Sequence, residues 1–164
     1  MAAGNTYVAL ATQTLSSSAA SVTFSSISGA YTDLIMICTG SVVSGGWVGL
    51  TLNFNGDTGS NYSSTSISGN GSTASSIREA TAVYMNLGAI DSTVQTNNIF
   101  HIMNYANTTT YKTGLSRGNN SVANVRPVVG LWRSTAAITS IVISHPSISI
   151  ATGATFTLYG IAAA

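Results

Sequence analysis

The sequence has very few charged side chains. Its 164 residues include five Lys or Arg and four Asp or Glu, so 5% of the chain is charged, against about a quarter in ordinary soluble domains. The formal net charge of +1 gives no strong field that would attract DNA, RNA or an anionic membrane. We therefore expect no nucleic-acid partner and no membrane partner.

Cysteine and long apolar runs are also scarce. Cys38 is the only cysteine, so no intrachain disulfide can form, and its place in the apolar run 34–38 predicts a small buried hydrophobe. No segment approaches the roughly 18 uninterrupted apolar residues of a membrane helix. The N-terminal segment lacks the basic start and apolar centre of a signal peptide, so we expect synthesis and folding in a cytoplasm.

The side chains that usually carry chemistry are few and scattered. His101 and His145 have no evident third ligand for a metal, and no glycine-rich phosphate loop is followed by Lys. The four acids fall at turns or in Ser/Thr-rich segments: Asp33, Asp57, Glu79 and Asp91. We therefore predict a protein that is not an enzyme, with no catalytic residues, no cofactor and no metal.

One polar stretch resembles a calcium loop because oxygen-bearing side chains alternate at Asn53, Asn55 and Asp57. Calcium loops need several carboxylates, including a closing acid, and this stretch has one. Asn55-Gly56 followed by Asp57 is also ordinary turn chemistry. We interpret the stretch as a turn.

The chain is polar by means of uncharged residues, with 25 Ser, 22 Thr, 13 Asn and 16 Gly. These residues favour strands, turns and loops over helices. Several segments alternate with the period of two of a half-buried strand, such as Val48, Leu50, Leu52 and Phe54. Three runs have apolar residues on both faces, 34–38, 99–103 and 128–132, which predicts central strands buried on both sides.

These patterns predict an all-β fold. We expect one domain over residues 1–164, a jelly-roll-like antiparallel β-sandwich of about eight to ten strands. Residues 63–76 are predicted to form a long exposed loop. The candidate strands, some of which are expected to merge, lie near residues 5–10, 20–27, 32–43, 47–55, 62–68, 82–88, 97–105, 109–116, 122–133, 138–144 and 154–161.

Aromatic and arginine side chains are the candidates for contact with a partner. Tyr and Trp combine an apolar body with a polar tip, and Arg is enriched at interfaces. Packing in or at the edge of the core is the alternative role for each aromatic side chain. The predicted interface residues are Trp47, Tyr62, Arg117, Arg126, Trp132 and Arg133.

Five strings in the sequence resemble, in the same order, a group of small structural proteins of tailed bacteriophages. The strings are YTDL at 31–34, FNGDTGSNY at 54–62, NYANT at 104–108, WRSTAAITSI at 132–141 and FTLYGI at 156–161. The resemblance extends over most of the chain from about residue 24. It implies a virion component with a β-sandwich fold and no catalytic residues.

The place of such a component in the virion leaves three hypotheses open. The first is a capsid cement or decoration protein on the capsid exterior, with partners that are further copies of itself, as a trimer or dimer, and the phage major capsid protein. The lack of a coiled-coil or fibre-shaft segment favours this one. The alternatives are a tail-fibre or tail-tip module that binds a glycan receptor, and a jelly-roll coat protein.

Overall fold

The alternating segments form twelve β-strands in the residues described by the computed structural model, 6–120 and 125–162. The strands are β1 Tyr7–Thr14, β2 Ser21–Phe24, β3 Asp33–Gly40, β4 Val48–Phe54, β5 Tyr62–Gly69, β6 Ala74–Ala82, β7 Met85–Ile90, β8 Thr96–Met103, β9 Lys112–Asn120, β10 Val125–Trp132, β11 Ile141–Ser144 and β12 Thr155–Ile161. Within these ranges the chain contains no helix that could cross a membrane.

The strands form two antiparallel sheets, a large one of order β1-β12-β3-β8-β9-β10-β5-β6 and a small one of order β2-β11-β4-β7. The strands β1-β12-β3-β8 and the small sheet have the strand order of an eight-stranded jelly roll, and β7 of the small sheet also packs against β9 and β10. We call these eight strands the body. The hairpins β5–β6 and β9–β10 extend the large sheet beyond β8, and we call these four strands the extension. The predicted all-β, jelly-roll-like sandwich is confirmed.

Two details of the strand prediction are wrong. The described residues form twelve strands instead of eight to ten, because the two hairpins of the extension add to the eight of the body. Residues 63–76 are not a long loop: they belong to β5, β6 and a short turn at 70–73. Their Ser and Thr side chains, which suggested a loop, lie on paired strands, with Ser66 opposite Ile77. Residue 5 of the range 5–10 and residues 122–124 of the range 122–133 lie outside the described residues.

The core lies between the two sheets and follows the period-two pattern. Leu50, Leu52 and Phe54 of β4 are fully buried and pack in one cluster with Leu34 and Met36 of β3. Burying an aliphatic or aromatic side chain contributes about 1.5–3 kcal/mol relative to leaving it in water. The closed packing of the body therefore holds the sandwich together and sets the position of the extension.

The three runs with apolar residues on both faces are buried on one face only. In β3, Leu34 and Met36 are fully buried, whereas Ile35 and Ile37 are half-buried on the opposite face. The prediction that these strands are buried on both faces is therefore wrong for the single chain. The reason is that the small sheet covers only one face of the large sheet, and the other face keeps its apolar side chains in contact with solvent.

The stretch with calcium-like spacing forms a turn, as interpreted from the sequence. Asn55 and Gly56 both have positive φ, at 53° and 68°, and the amide of Asp57 donates to the carbonyl of Phe54 at 2.9 Å. The amide group of Asn53 donates to the carbonyls of Asp57 and Val83 at 2.8 and 2.7 Å. The turn leads the chain from β4 in the small sheet to β5 in the large one.

Candidate interaction surface

The side of the large sheet that faces away from the small sheet is the candidate interaction surface, and we call it the outer face. The described residues include nine large apolar side chains that are exposed, and the outer face carries five of them. The register of the ladders places these five on one side of the sheet. They are Tyr7, Ile67, Leu115, Val125 and Val129.

The gaps between these side chains are filled by further apolar groups. Ile35 and Ile99 are half-buried, and Pro127 is exposed between Val125 and Val129 on β10. The apolar surface therefore runs across the sheet from β1 to β5 without a charged row. Contiguous exposed apolar surface on a soluble protein usually marks a site of contact with a protein or ligand.

Two shallow grooves indent the outer face and meet at Ile99 and Arg117. The first has a volume of about 250 Å³ and is bordered also by Tyr7, Asp33 and His101. The second has a volume of about 450 Å³ and extends toward Val125 and the outer part of β10. Both grooves are open to solvent and mainly apolar, so they suit the side chains of a docking surface.

Three polar groups lie near the middle of this surface. The carboxylate of Asp33 contacts Nε2 of His101 at 2.8 Å, and its other oxygen accepts a hydrogen bond from the amide of Asn104 at 2.7 Å. Arg117 is exposed, and no hydrogen bond or ion pair holds its guanidinium to another described residue. Asp33 is therefore fixed by its own chain, whereas Arg117 is available to a neighbour.

Of the predicted interface residues, Arg117 lies on the outer face and Arg126 borders its second groove, whereas Tyr62 and Trp132 are not surface residues. Both are buried, with ring centroids 6.2 Å apart and planes 14° apart. Nε1 of Trp132 donates to Asp57 at 2.7 Å, and this hydrogen bond is the main cause of the lowered pKa of Asp57. The prediction that Tyr62 and Trp132 contact a partner is wrong, because these rings fill the core.

The other three predicted residues bind neighbouring segments of their own chain. The guanidinium of Arg133 donates to the carbonyls of Tyr62 and Ala80 at 3.3 and 3.1 Å. Arg126 donates to the hydroxyl of Ser66 at 3.0 Å, and its guanidinium carbon lies 6.0 Å from the ring centroid of Trp47. Arg126 also borders the second groove. Contact of Trp47, Arg126 or Arg133 with a partner stays a prediction.

The residues that dominate the outer face are not among the predicted interface residues, which are all aromatic or arginine side chains. Leu115, Val125 and Val129 are aliphatic and therefore read as core residues. The run 128–132 did carry a signal for this face, because it has apolar residues at both the odd-numbered and the even-numbered positions of the strand. When only one face of such a strand is covered within the chain, the other must meet solvent or a neighbour.

Other chemically active groups have structural surroundings. Cys38 is buried, which raises the pKa of its thiol and confirms its role as a small hydrophobe. Nδ1 of His145 accepts hydrogen bonds from the amides of Ser147 and Ile148 at 3.2 and 3.1 Å, so it caps a turn. Among residues 6–120 and 125–162, no three His, Cys, Asp or Glu side chains group as metal ligands.

Comparison with known proteins adds little to this picture. No family model matches the chain, and no curated protein matches it. Among solved structures, the alginate lyase Aly36B is similar with a TM-score of 0.37 at 10% sequence identity, over 94% of this chain and 78% of that one. A likeness at this level carries no argument about function.

Proposed function

We propose that this chain is a non-enzymatic structural protein of a phage virion, most consistent with a cement or decoration protein on the capsid exterior. In this role it binds the assembled head and stabilises it through contacts with other copies of itself and with the major capsid protein. Support comes from the order of the phage-like strings, the scarcity of charge and the exposed apolar outer face.

The outer face is the observation that carries the proposal. Val125 and Val129 are 59% and 51% exposed, on a strand whose opposite face is packed against the core. Leaving several such side chains in water is unfavourable by about 25 cal/mol for each Å² of apolar surface. A protein that is held among neighbours in an assembly removes this cost when the face is covered.

The same surface explains how a protein without catalytic groups can have a function. A ligand that binds only the assembled state of a shell stabilises that state by mass action. Contacts made by hydroxyl, amide and aliphatic groups are less sensitive to salt than ion pairs between exposed charges. The charge-poor composition therefore suits a contact that must persist when ionic conditions change outside the cell.

The proposal is tested with virions of the encoding phage from which this protein is absent. Purified protein is added back, and the release of DNA is measured after heating and after osmotic shock. We expect the wild-type chain to restore resistance, and Val129→Asp on the outer face to fail because it places a charge in the contact.

The matched control is Val43→Asp. Val43 is exposed to a similar extent, 53% against 51% for Val129, but lies in the loop between β3 and β4 instead of on the outer face. We expect this variant to behave like the wild type. Virions that are equally resistant with and without the protein would contradict the cement role, and antibody label confined to the tail would favour the glycan-binding alternative.

A further inference from the structure

We infer that the neighbour covering the outer face is a second copy of the same chain, so that two large sheets pack face to face in a two-fold dimer. This inference rests on the proposed function in treating the outer face as a contact surface, and it names the occupant of that surface. Four features of the described residues support it.

The first feature is size. Eight strands at about 4.8 Å spacing and about eight residues at 3.3 Å each give a face of roughly 35 by 25 Å, or about 900 Å². A stable, specific interface buries about 800 Å² on each partner. The outer face is therefore large enough to hold two copies together without a contribution from any other surface.

The second feature is the sequence pattern of the central strands. Runs that are apolar at every position are typical of strands with both faces covered. In the single chain, Met36 and Phe100 are fully buried on the inner face, while Ile35 and Ile99 on the outer face are only half-buried. A second sheet, packed at the usual distance of about 10 Å, covers the remaining apolar side chains as a sandwich requires.

The third feature is charge. Within the described strands, the outer face carries three formally charged side chains: Asp33 and Arg117 border the first groove, and Arg78 lies on the edge strand β6. Such a face is close to neutral and does not repel a copy of itself. A two-fold interface uses the same patch on both subunits, so each copy presents Arg117 to the same near-neutral face, in which Asp33 already contacts His101.

The fourth feature is the shape of the surface. The two grooves meet at Arg117 and have mainly apolar surfaces, although Asn, Arg, Asp and His side chains also border them, whereas Val129 is 51% exposed outside them. A second copy supplies both elements, ridges of aliphatic side chains and grooves to receive them. Among the described residues, a strongly charged partner would find one cation near the centre of the face, Arg117, that is held by no hydrogen bond or ion pair.

The inference is tested on the purified chain alone, by sedimentation equilibrium and light scattering at concentrations up to about 100 µM. We expect a dimer. Val129→Asp should weaken association by at least about tenfold, since burying an unpaired carboxylate is costly. The matched control is Ile77→Asp, because Ile77 is 54% exposed on the inner side of β6 and lies outside the outer face.

Val129→Thr gives a second variant that keeps the shape of the side chain, in case the aspartate prevents folding; we expect it to weaken the dimer by a smaller factor. A wild-type chain that stays monomeric at about 100 µM overturns the inference. A dimer that is dissociated by Ile77→Asp but not by Val129→Asp also overturns it. Association in solution and binding to virions are separate readouts, so either proposal can fail while the other stands.

Discussion

The body and the extension share one sheet, yet they bury different kinds of side chain. On the inner face of the body, Leu34 and Met36 pack against an aliphatic and aromatic small sheet. On the inner face of the extension, the buried side chains include Lys112, Ser116 and Ser66. In both regions the large sheet packs against the small sheet, but the extension also buries polar side chains that make specific hydrogen bonds.

Lys112 illustrates the difference. Its side chain is fully buried, and Nζ donates to the carbonyls of Thr110 and Thr135 at 2.8 and 3.1 Å. Burial lowers the pKa of this amine. An ammonium in such a place contributes little hydrophobic stabilisation, but its hydrogen bonds fix the loops that flank β9 and β10.

An aromatic group joins the two regions. The rings of Phe54 at the end of β4 and Trp132 at the end of β10 have centroids 5.3 Å apart, and Tyr62 of β5 lies beside both. The hydroxyl of Tyr62 donates to the carbonyl of Asp57 at 3.0 Å. The joint combines the packing of the body with the hydrogen bonding of the extension, so it is where changes in one region should affect the other.

The largest expected effect is in the core of the body. Ile143→Ala should lower the free energy of unfolding by about 2–5 kcal/mol, as is usual for a fully buried aliphatic side chain, since Ile143 is 0% exposed. Ser68→Ala in the extension removes one hydrogen bond between the hydroxyls of Ser68 and Ser75 and should cost no more than about 1.5 kcal/mol, the net value of one neutral hydrogen bond. Urea titrations measure both, and equal losses would remove the distinction between the two regions.

The second effect concerns a close approach between the regions. A Cβ on Gly114 of β9 would lie 2.3 Å from Cζ of Phe100 on β8. Gly114→Ala should therefore destabilise the fold by about 1–3 kcal/mol through overpacking. Adding Phe100→Leu should relieve part of this strain, so the two changes are expected to be non-additive in a double-mutant cycle. Strict additivity would mean that the ring does not limit the approach of β9.

The third effect is a pH dependence at the joint. Hydrogen bonds from Trp132, Asn61 and the amide of Gly59 lower the pKa of Asp57 in the folded chain below its ordinary value. The resulting stabilisation is present above the ordinary pKa and is lost as the pH falls through the lowered one. Asp57→Asn should lower the free energy of unfolding at neutral pH by about 1–3 kcal/mol and reduce its change between pH 5 and pH 2. An unchanged acid profile would show that Asp57 is not the group responsible.

The smallest effect is expected at the free edge of the extension. Arg78 on β6 is exposed and donates one long hydrogen bond, of 3.4 Å, to the hydroxyl of Thr65. Arg78→Gln should change the free energy of unfolding by no more than about 0.5 kcal/mol, as for most surface substitutions. The free energy of unfolding is measured by thermal denaturation. A larger change in it would indicate that the edge strand contributes to the stability of the body.

The sequence predicted strands in both regions, including those near β5, β9 and β10 of the extension, but it did not predict β6. Alternation at Val48, Leu50, Leu52 and Phe54 is strong because each apolar side chain enters the core. The same period gives only a weak signal in β5 and β6, where Ser, Thr, Ala or Gly occupies most inward and outward positions. These strands pair through backbone hydrogen bonds with their neighbours more than through burial of apolar side chains. A pattern of hydropathy does not detect such pairing.

The site was predicted in part for a related reason. Trp132 and Arg117 are both residue types common at interfaces, but one fills the core and the other lies on the outer face. Nothing in the local sequence distinguishes these two positions, because the side of the large sheet on which a residue lies matters only once the small sheet covers one side. The burial of Lys112 could not be predicted from the sequence either, because its hydrogen-bond partners are two backbone carbonyls that only the fold brings together.

The four-residue turn between β5 and β6 has a practical consequence. All of residues 70–73 are exposed, and the side-chain oxygen of Asn70 accepts hydrogen bonds from the amides of Ser72 and Thr73 at 3.0 and 2.7 Å. The turn closes itself locally and takes no part in the jelly roll. A short foreign peptide spliced at Gly71 therefore leaves the body's registers intact, which makes this tip a suitable place to display an epitope or a fluorescent tag.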